Sequence, residues 1–176
     1  MTPAPVSTVK VWDGLVRLTH WSVAILILAN FLNESGSIWH RYAGYAAVGF
    51  VTVRGIWGLL SRGYARFSRW WPGFSGIRDY VRATLAGNAP RFIGINPAGA
   101  CMALLLWMSV LLLGLTGWMM SWDVFWGEEW LETLHMVIAY TLLACIGIHI
   151  ASVLLVSFRH RENLPKSMIT GKKREL

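Results

Sequence analysis

Charge is scarce in this sequence, and it is nearly absent from four long stretches. Only 14% of the 176 residues are charged, whereas a soluble domain usually has about 25%. Hydrophobic residues make up 55% of the chain. The long stretches also lack the strict alternation of apolar and polar residues that is typical of membrane β-barrel strands. Because helices and closed barrels are the structures that span a bilayer, the sequence predicts membrane-spanning helices.

Cysteine is also rare, since the chain contains only Cys101 and Cys145. Both lie inside apolar runs, which favours two small buried side chains over a disulfide or a metal-binding pair. The sequence has no C-x-x-C-H motif. This absence excludes the covalent attachment of a c-type haem.

The apolar stretches are long enough to cross a bilayer, for which about 20 residues suffice. The predicted fold is all-α, an integral membrane four-helix bundle that forms one domain over residues 1–176. We expect the first span to be retained, because the residues after it offer no convincing cleavage site for a signal peptide. The predicted spans cover approximately residues 15–32, 39–60, 97–121 and 131–158.

The segments outside the spans differ in length and charge. Met1–Lys10 is polar and contains prolines, which predicts a loose tail, and Arg159–Leu176 is a basic tail. The short loop at 33–38 makes the first two helices antiparallel neighbours. Within Ser61–Asn96, apolar residues recur at helical spacing between Ile77 and Leu85. This pattern predicts a short amphipathic helix, either on the membrane surface or packed on the bundle with a solvated face.

Basic residues are distributed unevenly along the chain. All of the 16 Lys and Arg except Arg41 lie in the N-terminal tail, the second-to-third connection, the C-terminal tail or the span ends beside them. With four spans these segments share one side, which the positive-inside rule makes cytoplasmic. We expect a multi-pass protein surrounded by the lipid of the cell inner (cytoplasmic) membrane, with both termini cytoplasmic. The net charge of +7 then reflects topology, and we expect no nucleic-acid partner.

Four histidines lie in the predicted spans, where an ionisable side chain is costly and therefore a candidate for function. His135 and His149 lie on the fourth span, about 21 Å apart along the axis and within about 40° of the same helix face. By position along the spans, His149 and His20 should lie near the inner surface of the membrane. His135 and His40 should lie near the outer surface. The sequence therefore predicts two pairs, each matched in depth.

Two imidazoles at one depth suit haem iron, which takes two axial ligands. Zinc would need about four ligands, and few carboxylates or thiols occur at these depths. Taken alone, each histidine has the alternative of being a polar residue at a helix contact. We predict two non-covalent haems with the four histidines as iron ligands, a state that favours electron transfer over oxygen binding. Arg17 and Arg54 are candidate partners of haem propionates, or they are positive-inside residues.

Three sequence elements occupy characteristic places relative to the spans. They are VWDGLVRLTHW at the first span, H-x3-G followed by R-x3-G on the second, and GINPAGA before the third. Together they resemble the prokaryotic cytochrome b561 family, in particular small four-helix relatives of the nickel–iron hydrogenase b-type cytochrome subunit. The resemblance covers about residues 9–160. It differs at Ile95, where the family often has the histidine of a G-H-N-P motif.

The resemblance implies two b-type haems, ligands on the first, second and fourth helices, and electron exchange with membrane quinone. The family's ligand positions correspond to His20, His40, His135 and His149 of this sequence. The histidine of the G-H-N-P motif has no counterpart here, so any role at a haem edge or a quinone site does not carry over.

The expected function is that of a di-haem transmembrane electron carrier between the quinone pool and a redox partner. Candidate partners are a periplasmic c-type cytochrome, a hydrogenase or another dehydrogenase subunit. One alternative is a superoxide:quinone oxidoreductase (a superoxide oxidase), in which Arg41 beside His40 attracts a small anion at the outer surface. A further alternative is a non-redox transporter or assembly scaffold, which predicts no haem.

Overall fold

Six α-helices and one small sheet form the computed structural model, which describes residues 7–33, 36–70 and 73–175. The helix bounds are Gly14–Leu32 (α1), Ile38–Leu60 (α2), Gly73–Leu85 (α3), Pro97–Met119 (α4), Glu129–Arg159 (α5) and Leu164–Thr170 (α6). Helices α1, α2, α4 and α5 are long and apolar enough to cross a membrane. The predicted all-α membrane fold with four spans is confirmed, and no predicted span end differs by more than two residues.

The chain divides into two compact units. One contains Leu18–Gly55 and Ala103–Ile148, and the other contains Met1–Arg17, Ile56–Met102 and His149–Leu176, as far as these residues are described. Each of the four long helices contributes residues to both units. The organisation of residues 1–176 as one domain stays a prediction.

The first of these units is a bundle of segments from α1, α2, α4 and α5. All four segments contribute to one apolar core. Its buried members are Ile27, Ala47, Val51, Val110 and Leu142. In a bilayer such burial brings no hydrophobic gain over contact with lipid, so these side chains hold the four segments together through close van der Waals packing.

The outward faces of the spans are apolar rather than polar. Large side chains such as Ile25 on α1 and Phe158 on α5 are 64% and 85% exposed. Exposed apolar surface on this scale is not tolerated in water and marks contact with lipid or protein. The faces therefore fit direct contact with lipid.

The second unit joins the two ends of the chain. Thr8–Lys10 (β1) pairs antiparallel with Lys172–Arg174 (β2), with Val9 opposite Lys173. The predicted loose tail is therefore wrong for Thr8–Lys10, whose backbone groups bond to the C-terminal strand, while residues 1–6 lie outside the described residues. The pairing places both ends of the described chain together, as an even number of spans requires.

The C-terminal tail is held by a partly buried ion pair. Arg91 donates to both carboxylate oxygens of Glu162, at 3.3 and 3.0 Å, and the backbone N–H of Arg174 donates to the same carboxylate at 3.3 Å. Burial alone would raise the pKa of Glu162, but the hydrogen bond from Arg91 and the charges of Lys173 and Arg91 outweigh it. The pKa of Glu162 is therefore below its ordinary value.

Two elements of the sequence resemblance have local structural roles. Asp13 caps α1 by accepting a hydrogen bond from the Val16 N–H at 2.8 Å, and it accepts another from Trp57 Nε1 at 2.9 Å. Asn96 caps α4 by accepting from the Gly99 N–H at 2.7 Å. A side-chain oxygen at this position satisfies an N–H that has no partner within the helix. These two residues therefore set where the first and third spans begin.

The basic connection contains the predicted amphipathic helix, α3. Its buried residue is Tyr80, whose ring contacts Phe92 edge-on with centroids 5.6 Å apart. Phe74 and Leu85 are 83% and 84% exposed. The helix itself is confirmed, and its place on the membrane surface stays a prediction.

Candidate functional site

Two of the span histidines face each other inside the first unit. His40 lies in the first turn of α2, and His135 lies on α5. Their ring centroids are 6.3 Å apart, and the ring planes are inclined at 58°. The backbone N–H of His40 donates to the Ser37 hydroxyl at 3.1 Å, so that Ser37 caps α2. The structure thus brings together the pair that the depth argument predicts at the outer surface.

The separation of these rings can be compared with the dimensions of a metal site. A ring nitrogen lies about 1.2 Å from the imidazole centroid, and a metal–imidazole bond is about 2.0–2.1 Å long. Two imidazoles on opposite sides of one metal ion therefore have centroids about 6.4–6.6 Å apart. The observed 6.3 Å is close to this range. The separation of the two rings is therefore compatible with their holding one metal ion together.

A cavity of about 100 Å³ adjoins both histidines. Most of its walls are apolar, and the polar exceptions include Asn30 and the exposed Arg41. Such a lining suits a largely apolar cofactor that has a few polar groups at one edge. The remaining lining residues are Ile27, Phe31, Gly44, Tyr45, Val110, Leu113, Gly114, Gly117, Ala139 and Leu142.

Glycines on α4 permit the close packing around this cavity. A Cβ atom at Gly117 would lie 3.5 Å from Cε1 of His135, and one at Gly114 would lie 2.3 Å from a methyl group of Val48 on α2. Gly114 therefore admits a neighbouring helix, whereas Gly117 packs against the His135 ring at ordinary van der Waals distance. Gly99 differs from both, because it faces Ile95 and Asn96 at the start of its own helix.

Sequence reasoning missed two polar side chains that contact the histidine pair. Thr116 on α4 is buried, and its Oγ1 lies 2.7 Å from Nδ1 of His135. Asn30 on α1 donates from Nδ2 to the backbone carbonyl of His40 at 3.1 Å. The sequence did mark both residues, because each is a polar residue inside an apolar span. Their contact with the histidines could not be predicted, since the pattern along one helix does not show which neighbouring helix a side chain meets.

Two polar atoms of the site are buried without a hydrogen-bond partner among the residues that the structure describes. They are Nδ1 of His40 and Oδ1 of Asn30. A buried polar atom of this kind usually has a bound group or water as its partner. The two atoms favour a bound group or water in this region over a completed core.

The inner pair, His20 and His149, falls in different compact units and stays a prediction. Both side chains are half-buried. His20 contacts Trp21 edge-on, with ring centroids 5.2 Å apart. The backbone carbonyl of His149 accepts a hydrogen bond from the Ser152 hydroxyl at 2.8 Å.

The two candidate arginines lie in different surroundings. Arg54 on α2 is 4% exposed, and its guanidinium carbon lies 5.3 Å from the ring centroid of Trp107 on α4. Arg17 donates to the backbone carbonyls of Asp13 and Ile169, which ties α1 to α6. Arg54 thus keeps a buried positive charge inside a span. Arg17 therefore has a structural role, the link between α1 and α6, in addition to the contact with a haem propionate that the sequence predicts.

Within residues 7–33, 36–70 and 73–175, no group of three or more His, Cys, Asp or Glu side chains is arranged to hold a metal ion. The cysteines are both free, Cys145 buried and Cys101 half-buried. The candidate site therefore rests on the histidine pair, with two protein ligands and an apolar cavity.

Comparison with known proteins agrees with this arrangement. The family model of prokaryotic cytochrome b561 matches residues 11–171, nearly the whole chain. No significant match to a curated protein or to a solved structure was found. With four apolar helices that can cross a membrane and a match over this length, the chain belongs to the prokaryotic cytochrome b561 family, whose members are membrane electron-transfer proteins that bind b-type haem.

Proposed function

We propose that this protein carries electrons across the inner membrane between the quinone pool and a redox partner, through two b-type haems. The observation that carries the proposal is the His40–His135 pair, with ring centroids 6.3 Å apart beside an apolar cavity. A haem bound there supplies one-electron chemistry at iron. The protein tunes it through ligand geometry, burial and hydrogen bonding.

The residues around the outer site have separate tasks in this proposal. His40 and His135 would hold the iron, and Gly117 packs against the His135 ring at van der Waals distance. Asn30 pins the backbone of His40 to α1 through its hydrogen bond. With two protein ligands on one iron, small molecules have no open position. The site therefore favours electron transfer over oxygen chemistry.

The inner site is proposed at His20 and His149. The support is their depth, because His149 follows His135 by about 21 Å along α5. Two redox centres at this spacing cover most of a hydrocarbon core about 30 Å thick. The buried Arg54 is the favoured partner for an inner propionate, because its charge lies inside a span. Arg17 is also proposed to bind a propionate, but with fewer of its N–H groups, since two of its nitrogens already donate to backbone carbonyls.

Both termini are proposed to be cytoplasmic. The pairing of β1 with β2 supports a common side for the two ends. The basic residues around them support the cytoplasmic side. A periplasmic reporter fused after the C-terminus should therefore be silent, and an active reporter would contradict the orientation.

Quinone is proposed as the lipid-soluble partner because of the family membership. The second partner is proposed to be a c-type cytochrome, a hydrogenase or a dehydrogenase subunit. Purified protein in lipid should be reduced by a quinol analogue at a rate that a quinone-site inhibitor lowers. Reduction by candidate partners and not by quinol would remove the quinone link and leave the haem assignment intact.

The central experiment measures haem in membranes that contain each histidine variant. The native chain should hold two haems that acid–acetone extracts, because no thioether attachment exists. His40→Ala and His135→Ala should remove the same haem, and the double variant should match either single variant. Residues that act as one unit show such non-additivity. His20→Ala and His149→Ala should likewise share the other haem.

The fifth histidine provides a matched control. His160 lies just beyond α5, outside the spans, so His160→Ala should retain both haems. Immunoblots should show that every variant is inserted. Depletion of spectrally different haems by His40→Ala and His135→Ala would refute the pairing, and a native ratio below two would remove the di-haem proposal.

A superoxide oxidase is the second candidate function. Arg41 is exposed and lines the cavity beside His40, where its charge would attract a small anion. In that reaction two superoxide anions would each lose one electron and become dioxygen, and one quinone would take up both electrons and two protons to become quinol, with the haems as the relay. Superoxide generated enzymatically should then reduce the purified protein, and Arg41→Ala should slow this step. No reduction by superoxide would exclude this candidate.

A further inference from the structure

Thr116 is a buried polar residue whose position the proposed function does not yet use. It is 4% exposed and lies on α4, a helix that contributes no histidine. Its Oγ1 lies 2.7 Å from Nδ1 of His135. The same oxygen lies 2.9 Å from the Leu112 carbonyl and 3.2 Å from the Leu113 carbonyl of its own helix.

The direction of the bond between Thr116 and His135 depends on the tautomer of the imidazole. A threonine hydroxyl has one hydrogen and can also accept through its lone pairs, whereas a carbonyl can only accept. In the tautomer with its hydrogen on Nδ1, His135 donates to Oγ1, and the hydroxyl hydrogen is left for the carbonyl of Leu112 or Leu113.

This tautomer leaves the lone pair of His135 on Nε2, the nitrogen that is then available to a metal. Where His135 holds iron through Nε2, Nδ1 carries the hydrogen, and Thr116 is the acceptor that faces it. Gly117 packs close to the same ring, since a Cβ there would meet Cε1 at 3.5 Å, an ordinary van der Waals distance. The hydrogen bond to Thr116 therefore holds the ring in this orientation.

We propose that Thr116 is a positioning residue for the outer haem, which it affects through His135. Metal-binding histidines generally donate their second ring N–H to an oxygen, and this bond orients the ring and raises the basicity of the ligand. A more basic ligand stabilises the oxidised iron and lowers the midpoint potential. This inference rests on the proposed function, because it assumes that His135 holds iron.

The two ligands of this haem are unequal in their surroundings. Nδ1 of His40 is buried and has no hydrogen-bond partner among the described residues, whereas Nδ1 of His135 has Thr116. The hydrogen bond that would adjust the potential of the outer haem therefore joins Thr116 on α4 to His135 on α5. Loss of the hydroxyl should affect this haem alone.

The test is a redox titration of native protein, Thr116→Val, Thr116→Ser and the control Thr141→Val in lipid. The outer haem is identified as the one that His135→Ala removes. Thr116→Val should raise its midpoint potential, shift its low-spin electron paramagnetic resonance signal, and weaken haem binding by about 10–100-fold. Thr116→Ser keeps the hydroxyl and should retain the native potential. Thr141 makes the same bond to its own helix, to the Val137 carbonyl at 2.8 Å, so Thr141→Val should change nothing.

Each outcome separates the inference from the proposed function. Native protein without haem would remove the proposed function, and the inference with it. Two haems in native protein with an unchanged outer potential in Thr116→Val would overturn the inference alone. Loss of the outer haem in the valine variant but not in the serine variant would support a role of the hydroxyl. Equal loss in both variants would assign Thr116 to packing and overturn the inference.

Discussion

At Gly114, α4 has no room for a side chain. A Cβ atom would lie 2.3 Å from Cγ2 of Val48 on α2, far inside van der Waals contact. The valine cannot easily turn away, because a β-branched side chain has one strongly preferred rotamer in a helix. Gly114→Ala should therefore force α2 and α4 apart. Overpacking of this kind typically costs about 1–3 kcal/mol.

The same substitution also has a favourable term, since alanine is better than glycine inside a helix by about 0.5–1 kcal/mol. Gly49 on α2 separates the two effects, because a Cβ there would have no atom within 4 Å. Gly49→Ala should be neutral or slightly stabilising. The difference in unfolding free energy between the two alanine variants should be about 1–3 kcal/mol, with Gly114→Ala the less stable.

The clash should also reach the outer haem, since Gly114 lines the cavity beside both proposed ligands. The assay is thermal unfolding in detergent, followed by the loss of the haem absorption band. The double variant Gly114→Ala with Val48→Ala removes the clashing methyl group and should regain stability and outer haem content. Equal stability of Gly114→Ala and Gly49→Ala would refute the reasoning, as would a double variant no better than Gly114→Ala.

Two further predictions concern charged residues. Glu162→Gln should destabilise the C-terminal tail by about 1–3 kcal/mol at pH 7, because Arg91 then lacks its charged partner. Since the folded pKa of Glu162 lies below its ordinary value, its contribution is present above the pKa of the unfolded chain and is lost as the pH falls through the folded pKa. Protease protection of the tail should therefore fall on acidification in the native chain and change less in Glu162→Gln. Arg54→Leu should lower the inner haem potential in a redox titration, because a positive charge that favours the reduced iron is lost. Arg54→Lys should retain most of the potential, and no shift in Arg54→Leu would assign Arg54 to packing on Trp107.

Much of the fold was predictable, because a membrane span is encoded locally. A run of about 20 apolar residues is long enough to cross the bilayer, whatever its neighbours are. This is why the bounds of all four spans agree with the structure within two residues. The ordered strands at Thr8–Lys10 and Lys172–Arg174 were missed, because short strands depend on each other across the whole length of the chain.

The candidate site was predictable in part for the same reason. The depth of His40 and His135 follows from their places along two helices, and the structure brings these two rings to 6.3 Å. The depth argument makes the same prediction for His20 and His149. The depth argument does not specify which side of each helix faces its neighbour. It therefore predicts the candidate ligands but not the residues that form hydrogen bonds with them.

The sequence by itself determined the family and the number of spans, and it predicted a depth for each histidine, since a span and a depth depend on positions along a single helix. Only the tertiary structure decided that Thr116 meets His135, that Gly114 receives Val48, and that Glu162 and Arg91 hold the C-terminal tail. These contacts join segments that are distant along the chain. The first two depend on how helices rotate about their own axes, which packing between helices settles, and the third joins two connecting segments outside the helices.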